Sequence, residues 1–501
     1  MKSFIPAFLA AVLAAPAILC AEPSPQLDPA AAAKSVIRIR ATAQSWNPGQ
    51  PWERTRPRRH GALAVLIAPG KALTTAEMVA DATFIEFQSI DATRTATAKV
   101  EAVDYEANLA LLSLANPKED SEFFQGKEPV ALAKDPALGD TLDIVQVEDN
   151  GNTMITRATL RNVEISSTFL PGQSFLSFRL KASMQSASSS FTLPVFAGKN
   201  LGGILTSYNS KEQMSQVIAT EILRHFLEQS TADGAEVRFP SLGIGTTGTD
   251  DPSFRKWLKL PDDVGGIYVS KVRKDSPAAT AGIEKGDVIL SIDKSKIDRR
   301  GYFKHPLYGT LFWSHLVRGS KTNGSKVKFG IWRDGKPTML EATLECRDLA
   351  AELVPSYRFG KAPPYLVKGG FIFQELSRPL LRAFGKDWQT KAPLNLLDVV
   401  LNPDDHAEGR RRVIFLSGAI PTPATIGYER LRNLIIAKVN GRKIEDTATL
   451  IEAFRHPSPD GLHSIEFEEE DFTIYLDQKM SDAVDSQLMQ RGIPHLSHTE
   501  S

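Results

Sequence analysis

GIYVSKVRKDSPAATAGIEKGDVILSIDKSKI, residues 266–297, is the stretch that decides how this chain folds. Apolar and polar residues alternate through its first strand, the period of a strand with one buried face. The alternation pauses at Ser276-Pro277-Ala278-Ala279. That is a helix start. It resumes after Gly286-Asp287 as VILSI. Residues 425–456, TIGYERLRNLIIAKVNGRKIEDTATLIEAFRH, repeat the order with a Gly-containing turn, an apolar strand, an Asn-Gly turn and a helix. Two diverged copies of one fold is the economical reading.

Outward toward the N-terminus the pattern changes. From about residue 35 to 220 short β-branched runs follow one another between turn residues: SVIRIRATA, ALAVLIAP, TFIEFQSI, LALLSL, TLDIVQV, FLSFRLKA and LGGILTSY among them. Strands at this spacing predict an all-β barrel or sandwich. TEILRHFLEQ, 220–229, closes the run as a helix with positions 222, 223 and 226 on one face. STADGAEVRFP, 230–240, reads as a linker, a third module begins near Tyr365, and the tail LMQRGIPHLSHTES is expected to be partly disordered.

A chain of 501 residues is too long for one core. Its 59 basic and 59 acidic residues balance, so no charge surplus argues for nucleic acid. Residues 1–21, MKSFIPAFLAAVLAAPAILCA, carry a lysine, an apolar run interrupted by Pro6 and Pro16, and small residues near Ala21. This is the pattern of a secretory signal peptide and predicts export to the periplasm or beyond. Leu19 before Cys20 is too bulky for a lipid-attachment site. Removal of the leader leaves Cys346 as the one cysteine, expected to be a small buried hydrophobe, so the folded chain has no internal disulfide and depends on its cores. No later apolar run is long enough to span a membrane.

Residues 266–297 resemble a PDZ domain of the HtrA (Deg, Do-like) family. ALAVLIAPGKALTTAEMVADA, 62–82, and AKVEAVDYEANLALLSL, 98–114, stand where that family's histidine and aspartate strands stand. GGFIFQELSRPLL, GYERLRNLIIAKVNGRKIED and QRGIPH resemble its second, PDZ-like domain. The resemblance implies a mainly β chain: a trypsin-like double β-barrel at 35–230, a PDZ domain at 236–346 and a second PDZ-like domain at 360–494, with 1–21 as leader.

Serine proteolysis needs an imidazole base, a carboxylate to orient it, and backbone amides to hold the oxyanion. The family's Thr-Asn-Ala-His is Thr74-Thr75-Ala76-Glu77 here, and its Asp-Leu-Ala-Leu-Leu is Asn108-Leu109-Ala110-Leu111-Leu112. Aligned on Pro194, the Gly-Asn-Ser-Gly-Gly-Pro loop becomes Ser189-Ser190-Phe191-Thr192-Leu193-Pro194, with Phe191 in the nucleophile's place. All three positions are replaced. A displaced nucleophile among Ser188, Ser189 and Ser190 still needs a base. The histidines between 35 and 228 are His60, expected in a surface loop after the basic stretch RTRPRR (54–59), and His225, expected on a helix surface.

What remains is peptide binding. A PDZ domain adds an extended C-terminal peptide as a strand and holds its carboxylate with amides of a turn. By resemblance that turn is Ser241-Leu242-Gly243-Ile244, with Leu242 and Ile244 lining a pocket or belonging to the core. The counterpart in the second PDZ-like domain is Gly369-Gly370-Phe371-Ile372-Phe373. Phe312, Trp313 and Leu316 of the aromatic insertion 298–324 are pocket walls or, more economically, core. No metal-ligand spacing, Walker loop or dinucleotide fingerprint occurs, so no cofactor is expected.

The expected function is an exported HtrA/Deg-like pseudoprotease that binds protein C-termini or unfolded polypeptides as scaffold, chaperone-like holder or regulator of active relatives. The resemblance adds a homo-oligomer. The alternatives are a serine endopeptidase with a rearranged site and a purely structural assembly protein.

Overall fold

The computed structural model describes residues 26–184, 192–230, 238–469 and 472–499. The leader, Ser188 to Ser190 and Phe191 lie outside them.

Two closed six-stranded barrels come first. In the first, Val36–Ala43, Arg58–Ala68, Lys71–Thr74, Leu109–Leu114, Thr95–Asp104 and Ala82–Gln88 pair in that order, and the last returns to the first. Alternate residues turn inward: Ile37 and Ile39 meet Ala64, Ala72, Phe87 and Leu112 in one core, while Arg38 and Arg40 point away. The second barrel runs Thr141–Val147, Thr153–Ser167, Ser174–Lys181, Met214–Ala219, Asn200–Asn209, Leu193–Ala197 and closes on Thr141–Val147. Closure leaves neither barrel an open edge for strand addition.

Thr220–Gln229 is a helix with Ile222, Leu223 and Phe226 fully buried. His225 is not on its surface as expected. It is buried and stacks on Phe239 with ring centroids 4.3 Å apart, because the chain after the helix folds back across it. Burial lowers its pKa.

The next unit is a sheet ordered Ile244–Thr247, Ile267–Val272, Val288–Ile292, Lys326–Arg333, Lys336–Thr343. Its local signals work as the sequence implies. Ser276 caps the short helix Pro277–Thr280 by accepting from the Ala279 amide, and buried Asp287 of the Gly-Asp turn pairs with Arg333 at 2.6 Å. The core of this unit is continuous with that of the second barrel, where Phe175 meets Phe239 edge-on at 4.8 Å. Cys346 is half-buried at the strand end Glu345–Cys346, its thiol against the Arg238 carbonyl.

The last unit is an eight-stranded sheet that includes Tyr365–Lys368, Phe371–Glu375, Ile414–Ala419, Leu434–Val439, Leu462–Phe467 and Thr473–Asp477. Its end corrects the expected disordered tail. Gln478–Gln490 is a helix with Val484 and Leu488 buried, Ile493 is buried, and Ser497–His498 pairs with Tyr365–Leu366. That pairing joins residues about 130 positions apart, so no local pattern announces it. Among the described residues no helix is long and apolar enough to cross a membrane.

Candidate functional site

Glu77 and Asn108, which the resemblance sets at two triad positions, lie together in the first barrel. Lys71–Thr74 carries the chain into a single 3-10 turn, Ala76–Met78, that presents Glu77. Asn108 begins the approach to Leu109–Leu114 with φ +60°, a conformation asparagine tolerates better than most residues. Its buried Oδ1 accepts the Glu77 backbone amide at 2.9 Å. The two positions that the resemblance gives to the base and its orienting group are thus joined by a hydrogen bond, and they carry a carboxylate and an amide. The Glu77 carboxyl reaches the surface, yet desolvation by its surroundings still raises its pKa, with His60 and Asn108 opposing.

Two further residues meet here. Thr75 Oγ1 and Thr192 Oγ1, one from each barrel, are 2.9 Å apart. His60 is not in a surface loop: it lies half-buried in the strand Arg58–Ala68, its Nε2 3.1 Å from the Met78 carbonyl oxygen. The preceding arginines are exposed as expected, but Arg54 ends a hairpin strand and covers the Trp46 ring at 4.7 Å. The nucleophile position itself, Phe191, lies outside the described residues.

In the first of the two repeated units, the turn at 241–244 has an asymmetry of use. The Leu242 and Gly243 carbonyls accept from Ala278 and Arg273 amides at 3.1 and 3.0 Å. The Leu242 and Gly243 amides donate to no acceptor among the described residues. Gly243 has φ +78°, and a Cβ there would lie 2.4 Å from Ser276 Cβ, so glycine is required twice over. Leu242 is 2 % exposed and belongs to the core, whereas Ile244 is half-buried. Ile244–Thr247 is the edge strand of its sheet. The insertion supplies a hairpin, Tyr302–His305 with Gly309–Phe312, and the short helix His315–Arg318. Trp313 is buried and donates from Nε1 to Thr246 Oγ1 at 3.3 Å, while Phe312 and Leu316 stay partly open beside the core.

The corresponding turn of the last unit is already occupied. Tyr365–Lys368 pairs along Phe371–Glu375, so the strand that would receive a peptide has a neighbour from its own chain. Leu366 belongs to one buried cluster with Phe373 and Leu450. The Gly369 amide donates to Asp485 Oδ1 at 2.7 Å, and Lys368 Nζ reaches Asp485 Oδ2 at 3.0 Å. Asp485, on Gln478–Gln490, takes an amide of the turn expected to hold a peptide carboxylate. The expected groove at Gly369 to Phe373 is thus filled in this conformation.

Between barrels and first repeat lies a charged junction. Arg318, at the end of the helix His315–Arg318, donates to Glu106 and to Gln173 and covers the Phe175 ring at 4.8 Å. Arg347 approaches Glu106 at 3.9 Å and pairs with Glu352. Asp104 Oδ1 accepts the Glu106 and Ala107 amides, and Oδ2 has no partner among the described residues. Burial, helped by Glu106, pushes the Asp104 pKa up to about 7. Sequence reading missed this junction because its members come from four separated segments.

Models of the PDZ domain match residues 240–344 and 354–496. The chloroplastic protease Do-like 2 of Arabidopsis thaliana is 26 % identical over 424 residues, covering 83 % of this chain and 68 % of that protein. The mitochondrial protease Do-like 4 of the same plant is 23 % identical, covering 84 % and 76 %. The periplasmic serine endoprotease DegP of Escherichia coli (strain K12) is 26 % identical over 288 residues, covering 55 % and 54 %. Among solved structures, an HtrA-type protease AlgW with decapeptide aligns with TM-score 0.47 and 21 % identity, over 64 % of this chain and 97 % of that one. With two PDZ domains at its C-terminal end and Do-like relatives along most of its length, the chain is a relative of the HtrA/Deg proteases.

Proposed function

We propose that this chain is an exported HtrA/Deg relative that binds protein C-termini or unfolded polypeptides through its first PDZ domain and does not cleave them. It serves as a scaffold, a holder or a regulator of active relatives, and it works as a homo-oligomer. The observation that supports the reading is the Glu77 amide on Asn108 Oδ1: at the two described positions that the resemblance gives to the base and its orienting group stand a carboxylate and an amide. The Leu242 and Gly243 amides, which have no acceptor among the described residues, support a carboxylate-binding turn, with Ile244 beside it.

A serine endopeptidase with a rearranged site is the second reading, favoured by His60, an imidazole half-buried beside the turn that presents Glu77. A fluorophosphonate serine probe on the folded protein separates the two. No labelling, together with intact unfolded substrate after long incubation, is expected. Labelling that is lost when Ser188, Ser189 and Ser190 are changed to alanine refutes the non-cleaving reading.

A further inference from the structure

The segment between the strands Glu345–Cys346 and Tyr365–Lys368 crosses the face of the barrels near Glu77 and Asn108. Tyr105, three residues before Asn108, sits on the turn between Thr95–Asp104 and Leu109–Leu114 of the first barrel. Phe169 sits on the turn between Thr153–Ser167 and Ser174–Lys181 of the second. Phe359 bridges the two rings, with centroids 4.5 Å from Tyr105 and 5.9 Å from Phe169. Tyr357 packs on Tyr105 at 5.2 Å and on Phe359 at 5.5 Å.

Both ends of this strap are tied. The Gly360 amide donates to Asp81 Oδ1 at 2.8 Å, just past the turn that presents Glu77. Arg358 pairs with Glu375 of the second PDZ domain at 2.6 Å, and the Arg378 amide donates to the Pro355 carbonyl. A piece of chain therefore lies across the two barrels, fixed by polar bonds to its main chain and flanks, with one aromatic side chain set between an aromatic ring from each. Phe359 keeps part of its surface in water. Aromatic pairs at these distances attract beyond the area they bury, and that attraction needs no particular sequence around the ring.

The geometry points to Tyr105 and Phe169 as a binding cradle for an aromatic side chain on an extended polypeptide, filled in this conformation by the chain's own Phe359. The ligand class follows from the occupant: a flexible segment with an exposed phenyl or indole, as unfolded proteins present and folded ones bury. This rests on the proposed function and deepens it, since it gives a polypeptide holder a second contact that reads side chains rather than termini. Because strap and ligand compete for one place, the cradle opens only as the linker releases.

The test uses the full chain and a short unstructured peptide with one central Phe, amidated so that no free carboxylate is offered. Phe359→Ala is expected to bind it about tenfold more tightly than the wild type, equivalent to about 1.4 kcal/mol. Adding Tyr105→Ala or Phe169→Ala is expected to remove the gain. Phe359→Trp, which preserves packing, gives an independent reading: saturating peptide is expected to move the added indole emission to longer wavelength. Equal affinity of wild type and Phe359→Ala, or an emission of the Phe359→Trp protein that saturating peptide leaves unmoved, overturns the cradle. A companion peptide with a free carboxylate and Ala for Phe reports on the first PDZ turn alone, so failure there with success at the cradle refutes only the PDZ reading.

Discussion

Replacing Arg318 by methionine removes a charge on which three segments converge. The side chain is 17 % exposed and its partner Glu106 is 10 % exposed, so the pair is largely out of water. Removing one member of a buried pair typically costs about 3–5 kcal/mol, because the other charge is left uncompensated. Here Arg347 still lies 3.9 Å from Glu106 and offsets part of that loss, while Asp104 beside it adds repulsion whenever it is ionised. Methionine keeps most of the contact with Phe175. The expected cost is therefore about 2–3 kcal/mol, at or just below the low end of that range.

Urea unfolding of the full chain at neutral pH measures the cost, and a cycle with Glu106→Gln isolates the pair. Several domains unfold together, so absolute values mix transitions, but contributions common to all four proteins cancel in the cycle. Glu106→Gln in the Arg318→Met background is expected to restore stability, giving a coupling of about 2 kcal/mol. A loss below about 0.5 kcal/mol for Arg318→Met, or strict additivity of the two changes, would show that Glu106 is solvated well enough to do without Arg318.

Two predictions concern neighbouring features. Asp104 has its pKa raised from 3.8 to about 7, so between these values the unfolded chain ionises while the folded one stays neutral; stability conferred by this group is complete below about pH 4 and is lost as pH rises to 7. Asp104→Asn should flatten that fall, by up to about 4 kcal/mol between pH 4 and pH 8, and identical pH profiles for the two proteins would contradict the burial of this carboxyl. Gly243→Ala places a Cβ 2.4 Å from Ser276 Cβ at φ +78°, which must displace the turn. Fluorescence anisotropy with a free-carboxylate peptide should show at least about tenfold weaker binding, and unchanged affinity would remove this turn from the carboxylate site.

Legibility in the sequence followed the range of the interaction. The cap at Ser276, the turn at Gly286-Asp287, the alternation of Ile37 and Ile39 with arginines, and the buried stripe at 222, 223 and 226 are settled within a few residues. A pattern can therefore announce them. The replacements at Glu77 and Asn108 were equally plain, since side-chain chemistry at a motif position is written in the residue itself. His60, His225 and the C-terminal tail were misread because their surroundings come from elsewhere: Met78 for one, Phe239 for another, Tyr365 and Leu366 for the last.

By itself, then, the sequence determined a run of short strands, two copies of one repeated unit and the side chains at 77 and 108, because strand period, turn chemistry and residue identity are local properties. Only the tertiary structure decided which turn amides are taken. In the first PDZ domain two amides are left without acceptors among the described residues; in the second, Tyr365–Lys368 pairs along Phe371–Glu375 and Asp485 takes the Gly369 amide; and between the barrels Phe359 lies on Tyr105 and Phe169. Occupancy of a groove depends on where distant segments of the chain come to rest, and packing across hundreds of residues sets that position.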